Sequence, residues 1–176
     1  MDNIRNHSQS EAGAFSRMKY WIPALLIAAL ISFFSTGYFT SERTGRFILP
    51  LLHWLFPFAS HHALHLMHLL IRKLAHVTEF AALSITIFHG IRGPRHGWKP
   101  DWALLTLLIA IAYAGLDEWH QSFVPLRQAS LRDVATDGVG ALLAQAFVWA
   151  YAKWHRNSPE LPRTSSERDG TRPFRE

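Results

Sequence analysis

One long stretch without a charged side chain limits the folds that are open to this sequence. It runs from Tyr20 to Phe39, YWIPALLIAALISFFSTGYF, and contains twenty residues. At about 1.5 Å per residue, a helix of that length covers the roughly 30 Å of a bilayer's hydrocarbon core. The run is also longer than the roughly 7 to 15 apolar residues of a signal peptide, and no A-x-A cleavage site follows it. We therefore predict a retained transmembrane helix.

Three shorter uncharged segments follow, at 80–91, 102–116 and 138–152, with 12, 15 and 15 residues. Each falls short of the roughly 20 residues that a helix needs to cross the membrane. Each crossing helix must therefore extend into neighbouring polar residues, which are Arg72, Lys73, His76, Glu79, Asp117, Glu118, Asp133 and Asp137. The sequence thus predicts an all-α integral membrane protein, a bundle of four transmembrane helices with charged residues near the helix ends.

The region between the first two predicted crossings is expected to lie at the membrane surface. Residues 47–58 are rich in apolar and aromatic side chains, and four histidines follow, at His61, His62, His65 and His68. A continuous helix over 61–91 would measure roughly 46 Å, which is too long for one crossing. We predict that it begins as an interfacial helical segment and turns or tilts near Arg72, and the sequence leaves a bend there open. The histidine spacing suits zinc binding or acid sensing, but no nearby acidic residue completes a site, so we favour an exposed interfacial helix.

Charge is distributed unevenly along the chain. The 133 residues of 20–152 contain 16 of the 31 charged side chains, and the rest lie in residues 1–19 and 153–176. We interpret these three parts as a cytoplasmic N-terminal tail, a membrane domain, and a basic cytoplasmic tail without stable structure. Placing both termini inside puts twelve Lys and Arg on the cytoplasmic side and six on the other, as the positive-inside rule requires.

The same charge distribution accounts for the isoelectric point near 10.0, so we expect no nucleic-acid partner. The absence of cysteine excludes a disulfide-stapled fold and any cysteine-based metal site or nucleophile.

This topology brings the polar ends of the second, third and fourth helices together on the extracytoplasmic side. Ionisable residues at membrane depth are costly, so they face the bundle interior, pair, or mark a functional path. The candidate ligand-binding residues are Lys73, His76, Glu79, Asp117, Glu118, Gln121, Arg127, Arg132, Asp133 and Asp137. Near-equal numbers of positive and negative charges suggest mutual pairing. Asp133 suits a helix N-cap, whereas capping does not explain Asp137, one turn deeper.

Three motifs at these helix ends resemble the VanZ-like membrane protein family. They are K-x-x-H-x-x-E-F from Lys73, D-E-x-x-Q-x-F-x-P-x-R from Asp117, and S-x-x-D-x-x-x-D-x-x-G from Ser130. The FFSTGYFTSE stretch is similar to the family's Ser-rich exit from its first helix, and the resemblance covers about residues 20–152. It implies a multi-pass protein of the bacterial cytoplasmic membrane, related to proteins linked to lowered susceptibility to the glycopeptide teicoplanin. It does not imply a particular reaction.

Three functional interpretations remain open from the sequence. In the first, the site binds the headgroup of a cell-envelope lipid or a lipid-linked cell-wall precursor, with Arg127 or Arg132 on a phosphate or carboxylate and Gln121 donating a hydrogen bond.

In the second, the protein is a membrane enzyme. Its candidate catalytic residues are His76, Glu79, Asp117 and Glu118, acting either as a metal site completed by a carboxylate or by acid/base chemistry. One histidine among carboxylates is a weak metal signal, so we assign no metal and no cofactor.

In the third, the charges form a structural ion-pair network in a protein that functions through a partner. Burying charges costs about as much stability as their ion pairs return, so a gain in stability does not explain so many charges in a membrane.

Overall fold

The computed structural model describes residues 17–36, 41–123 and 130–157, which form five helices and no strand. The helices are α1 (Ile22–Phe34), α2 (Ser41–Leu55), α3 (His61–Arg92), α4 (Pro100–Gln121) and α5 (Leu131–Asn157). The long helix α3 packs against each of the other four, and α4 also packs against α5. The predicted all-α class is therefore confirmed for the described residues.

Helix boundaries follow from local sequence signals. Ser60 precedes α3 and its hydroxyl accepts a hydrogen bond from the Ala63 amide at 3.3 Å, which is the geometry of an N-cap. Gly93 ends that helix with a φ of 58°, a left-handed conformation that favours glycine. Helix α4 starts at Pro100, whose missing N–H is not needed in a first turn.

Two of the helices, α3 and α4, are long and apolar enough to cross a membrane. The first predicted crossing is shorter than expected, because α1 has 13 residues and ends at Phe34. Ser35 and Thr36 form a turn after it, and the Thr36 hydroxyl donates to the Phe33 carbonyl at 2.7 Å. Helix α5 has 27 residues but carries several polar side chains, and it does not meet the same hydropathy criterion.

The segment before the second predicted crossing also differs from expectation in its details. Residues 61–92 form one uninterrupted helix, with no break at Arg72. The preceding surface segment forms its own helix, α2. His68 is buried against α2, with its Nε2 atom 3.4 Å from the Thr44 hydroxyl, while the other three histidines of this stretch are exposed. One of the four thus has a packing role that periodicity did not indicate.

The tightest helix contact joins α3 and α5. Gly140 of α5 lies directly against the main chain of Val77 on α3. Further along the same contact, the Ser84 hydroxyl donates to the Ala141 carbonyl at 3.1 Å, and Gln145 Nε2 donates to that hydroxyl at 2.9 Å. Small residues permit this close approach, and the buried hydroxyl and amide fix its register.

The outer surface of the bundle is largely apolar. Large side chains on three helices are each more than half exposed, namely Leu25 and Leu26 on α1, Leu104 and Leu108 on α4, and Leu143 and Phe147 on α5. The polar side chains Asp117, Glu118, Gln121, Asp137 and Gln145 are buried. This arrangement is the reverse of that in a water-soluble domain, where charged groups are rarely fully buried.

Candidate functional site

The first part of the site is a triangle of buried hydrogen bonds between α1 and α4. The Ser35 hydroxyl donates to Asp117 Oδ2 at 2.8 Å. Gln121 Nε2 donates to the same oxygen at 2.7 Å and to the Ser35 hydroxyl at 3.1 Å. All three side chains are buried. We call Ser35, Asp117 and Gln121 the Asp117 triad. It holds the end of α1 against the last turn of α4.

The second part is a carboxylate and an imidazole on facing helices. Asp137 on α5 is only 3% exposed, and its Oδ1 atom lies 3.6 Å from His76 Nδ1 on α3. That separation is longer than a hydrogen bond, and Asp137 Oδ1 has no hydrogen-bond partner among the described residues. The His76 side chain is 29% exposed, although its Nδ1 atom is buried. We call these two residues the His76–Asp137 pair.

Further carboxylates surround this pair. Glu79 is half-buried, three residues after His76 on α3. Glu118 is buried, and its Oε1 atom accepts a hydrogen bond from the Ser130 main-chain amide at 2.5 Å. That bond ties the end of α4 to the residue before α5. Asp117, Glu118, Glu79 and Asp133 all lie close enough to Asp137 for their charges to act on it. The described part of the site is therefore strongly acidic.

The structure places the predicted site residues in three environments. Asp117, Glu118, Gln121 and Asp137 are buried, His76 and Glu79 are half-buried, and Lys73, Arg132 and Asp133 are exposed. Arg127, the remaining candidate, lies outside the described residues. The buried members come from separate parts of the chain and meet at one end of the bundle, on α4 and α5, with the half-buried ones on α3.

Between the residues that the structure describes, the mutual pairing of charges that the sequence suggested is limited to His76 with Asp137. Lys73 and Arg132 form no ion pair with any residue that the structure describes. Arg72 donates to the Thr44 hydroxyl of α2 at 3.2 Å. Hydroxyl, amide and main-chain donors satisfy the buried carboxylates at Asp117 and Glu118.

Two details of the site were not anticipated. Asp133 is not the N-cap of α5, because Ser130 precedes that helix and its hydroxyl accepts from the Arg132 amide at 3.2 Å. Ser35 was missed as a site residue. Its signal was the Ser-rich end of the first apolar run, although its partner Asp117 is 82 residues away.

Metal binding would need several ligands at one place. In residues 17–36, 41–123 and 130–157, no group of three or more His, Asp or Glu side chains is arranged to hold a metal ion. The chemistry available from the described side chains is hydrogen-bond acceptance, electrostatic attraction of positive groups, and proton exchange at the His76–Asp137 pair.

An apolar surface around buried polar side chains is typical of an α-helical membrane protein. Residues 18–152 match the family model described as VanZ/LLP1, which covers most of the chain. The chain therefore belongs to this family, and the resemblance seen in the three sequence motifs is confirmed. No curated protein and no solved structure gives a significant match.

Proposed function

We propose that this protein is a multi-pass protein of the bacterial cytoplasmic membrane that binds the headgroup of a cell-envelope lipid or lipid-linked cell-wall precursor. The observation that carries the proposal is Asp137, a carboxylate almost completely buried in an apolar bundle, with one oxygen lacking a hydrogen-bond partner among the described residues. Leaving a buried acceptor unsatisfied costs about 1–3 kcal/mol, and more for a charged group. A ligand donor at this position would remove that cost.

The proposed bundle has four crossings, formed by α1, α3, α4 and α5, with α2 at the outer surface. Apolar exposure on α1 and α5 supports their inclusion, because their outward side chains match those of α4. The polar residues that lower the hydropathy of α5 include Asp137 and Gln145, which face the bundle interior and not the lipid. Both termini are then cytoplasmic, and the site faces the outer leaflet.

Cysteine labelling tests this topology. Because the chain contains no cysteine of its own, an introduced cysteine is the one thiol in the protein that can be labelled. His62→Cys lies at the start of α3, and His96→Cys lies in the loop between α3 and α4. In spheroplasts, a membrane-impermeant maleimide is expected to label the first variant at once and the second only after permeabilisation. Labelling of both from the same side would contradict a crossing by α3.

The chemistry of the site favours one part of such a ligand. Carboxylate oxygens accept hydrogen bonds from hydroxyl and ammonium groups, and the described part of the site is acidic. We assign a sugar hydroxyl or an amine of the headgroup to a position beside Asp137 Oδ1 and His76 Nδ1, whose 3.6 Å separation lets one polar group lie within hydrogen-bond distance of both. The phosphate is then assigned to Arg127 or Arg132, the two arginines that the sequence offers for it.

Binding of a lipid-linked cell-wall precursor to the purified full chain tests the proposal. Asp137→Asn removes the charge with little change in shape, and we expect binding to weaken about tenfold, equivalent to roughly 1.4 kcal/mol. Asp101→Asn is the matched control, because Asp101 is an exposed carboxylate at the other end of α4. Equal binding by wild type and Asp137→Asn would refute the role of Asp137, and unchanged binding by Arg127→Ala would refute a phosphate role of Arg127.

The proposed link to teicoplanin has a cellular test. In a sensitive bacterial host, expression of the wild-type chain is expected to raise the minimum inhibitory concentration of teicoplanin. The Asp101→Asn chain should do the same, and the Asp137→Asn chain should not. Equal resistance with both variants would separate the drug phenotype from this site.

A second candidate function is acid/base catalysis on the same ligand. The observation that favours it is the carboxylate beside His76, since a carboxylate can orient a histidine that acts as general base. Incubation of the purified protein with the precursor, followed by mass spectrometry of the lipid, distinguishes turnover from binding. An enzyme would convert the precursor and lose this activity in His76→Gln, whereas a binding protein would return it unchanged.

A further inference from the structure

A cavity of about 560 Å³ lies at the other end of the bundle, between the loop after α3 and the last turns of α5. Asp137 and Lys153 on α5 are separated by roughly 24 Å of helix, so the cavity is distinct from the site described above. Its lining is rich in cationic and aromatic side chains, which include Arg92, His96, Trp98, Trp149, Lys153 and Arg156.

Two buried hydrogen-bond donors in this lining have no partner among the described residues. Arg92 Nε and Trp98 Nε1 are both buried, and neither forms a hydrogen bond within the described residues. A buried donor without a partner is costly, and more so when it belongs to a charged group. Interfacial Trp, Lys and Arg residues are ordinary at membrane boundaries, but that tendency does not account for donors withdrawn from water and left unsatisfied. An anion in the cavity would accept from both.

Cationic charge around the cavity adds to this preference. Lys153 lies over the Trp149 ring, with Nζ 5.2 Å from the ring centroid, which keeps its ammonium group near the cavity. Arg156 lies one turn further along α5 and also lines the cavity. Among the residues that the structure describes, no Asp or Glu side chain belongs to the lining. The charge of the cavity is therefore positive, in contrast to the acidic site at the opposite end.

The neighbouring surface shows what kind of anion fits. A smaller groove of about 170 Å³ lies between α3 and α5, and it shares Arg92, Val148 and Tyr151 with the cavity. Its other lining residues are mostly apolar and include Ile85, Phe88 and Phe147. A cationic cavity that continues into an apolar groove is complementary to an amphiphile with a negatively charged head. Basic pockets between transmembrane helices are known to hold anionic lipid headgroups.

We propose that this cavity binds the phosphate group of an anionic phospholipid, with one acyl chain in the adjoining groove. Arg92 and Trp98 donate to the phosphate, and Lys153 and Arg156 supply the surrounding positive charge. With the topology proposed above, the lipid belongs to the inner leaflet. This site does not depend on the precursor-binding site, because the two share no residue and lie at opposite ends of α5.

Native mass spectrometry of the full chain in a neutral detergent tests the proposal, with phosphatidylglycerol as the probe and phosphatidylcholine as the comparison lipid. Wild type is expected to retain phosphatidylglycerol at least tenfold more strongly than phosphatidylcholine. Arg92→Gln should reduce this retention about tenfold. Arg17→Gln is the matched control, because Arg17 is an exposed cation near the same end of the bundle and outside the cavity. An equal loss of phosphatidylglycerol retention in the two variants would show that net charge alone causes the preference, and it would refute the proposed site.

Trp98→Phe keeps the aromatic bulk and removes only the indole donor, so it addresses binding even if Arg92→Gln fails to fold. We expect a several-fold loss of phosphatidylglycerol, with an unchanged helical circular dichroism spectrum. Glycerophosphoglycerol, the headgroup without acyl chains, and inorganic phosphate separate a lipid site from a free phosphate site. Both are expected to compete at least tenfold more weakly than the intact lipid. Competition as strong as that of the lipid, or full retention of lipid by Trp98→Phe, would refute the proposal.

Discussion

Replacing Gly140 with alanine tests the close contact between α3 and α5. A Cβ atom built at Gly140 would lie 3.0 Å from both the Cα and the carbonyl carbon of Val77, and nearer still to its carbonyl oxygen. These neighbours are main-chain atoms of a long helix, so they cannot rotate away as a flexible side chain would. One of the two helices must shift to accept the added methyl group.

The magnitude follows from two opposing effects. Alanine is favoured over glycine inside a helix by roughly 0.5–1 kcal/mol, whereas overpacking a well-packed contact costs roughly 1–3 kcal/mol. We expect Gly140→Ala to lower the free energy of unfolding by up to about 2.5 kcal/mol. Gly138→Ala is the matched control on the same helix, because its nearest atom would be Ile111 Cγ1 at an ordinary 3.8 Å. It should raise the stability by up to about 1 kcal/mol.

Reversible unfolding of the full chain by sodium dodecyl sulfate in mixed micelles, followed by circular dichroism, measures both variants. The shift also has a consequence at the site. Val77 is next to His76, and Gly140 is one turn after Asp137, so separating the helices here widens the His76–Asp137 gap. We expect precursor binding to weaken several-fold in Gly140→Ala and to stay unchanged in Gly138→Ala. A Gly140→Ala protein at least as stable as wild type would refute the reasoning.

Three further substitutions probe buried hydrogen bonds by the same unfolding assay. Ser35→Ala removes one donor to the Asp117 carboxylate and should cost about 1–3 kcal/mol, since the bond is charge-assisted. Tyr113→Phe removes a hydroxyl that donates to a main-chain carbonyl of α1 at 2.6 Å, with an expected loss of about 1 kcal/mol. Ser84→Ala leaves the buried Gln145 amide without its hydroxyl partner and should cost about 1–3 kcal/mol.

Ser122→Ala is the control for these variants, because the exposed Ser122 hydroxyl donates only to the Trp119 carbonyl of its own helix end. Its effect should stay within about 0.5 kcal/mol of wild type. If Ser35→Ala were as mild as Ser122→Ala, the Asp117 triad would contribute little to the contact of α1 with α4. Losses in all four variants of the same size would point to a general effect of hydroxyl removal.

The sequence was most informative where a pattern is local. The absence of charge over a long run, and the spacing of Asp117 and Gln121 by one turn, predicted helices and placed those two side chains on one face. The motifs around His76 and Asp137 also identified the residues that meet in the site. Charge distribution alone then suggested that the ends of separate helices come together.

The sequence did not predict the features that depend on tertiary contacts. The first helix ends at Phe34 and not at Phe39, because Ser35 turns toward Asp117, a partner that hydropathy does not reveal. The mean hydropathy of α5 is too low to predict a membrane crossing. An average over the helix counts Asp137, which is buried in the bundle, in the same way as an exposed charge. The burial of His68 likewise required the position of α2, a helix in a different part of the chain.

The site residues are ordered along the chain in a way that bears on biosynthesis. Ser35 lies on the turn after α1, Asp117 on α4 and Asp137 on α5, so the ribosome delivers them at different times. The Asp117 triad can close as soon as α4 is made, whereas His76 meets its carboxylate only when α5 has joined α3. A nascent chain that still lacks α5 therefore has the Asp117 triad but not the His76–Asp137 pair. Packing of α5 against α3 and α4 therefore completes the site.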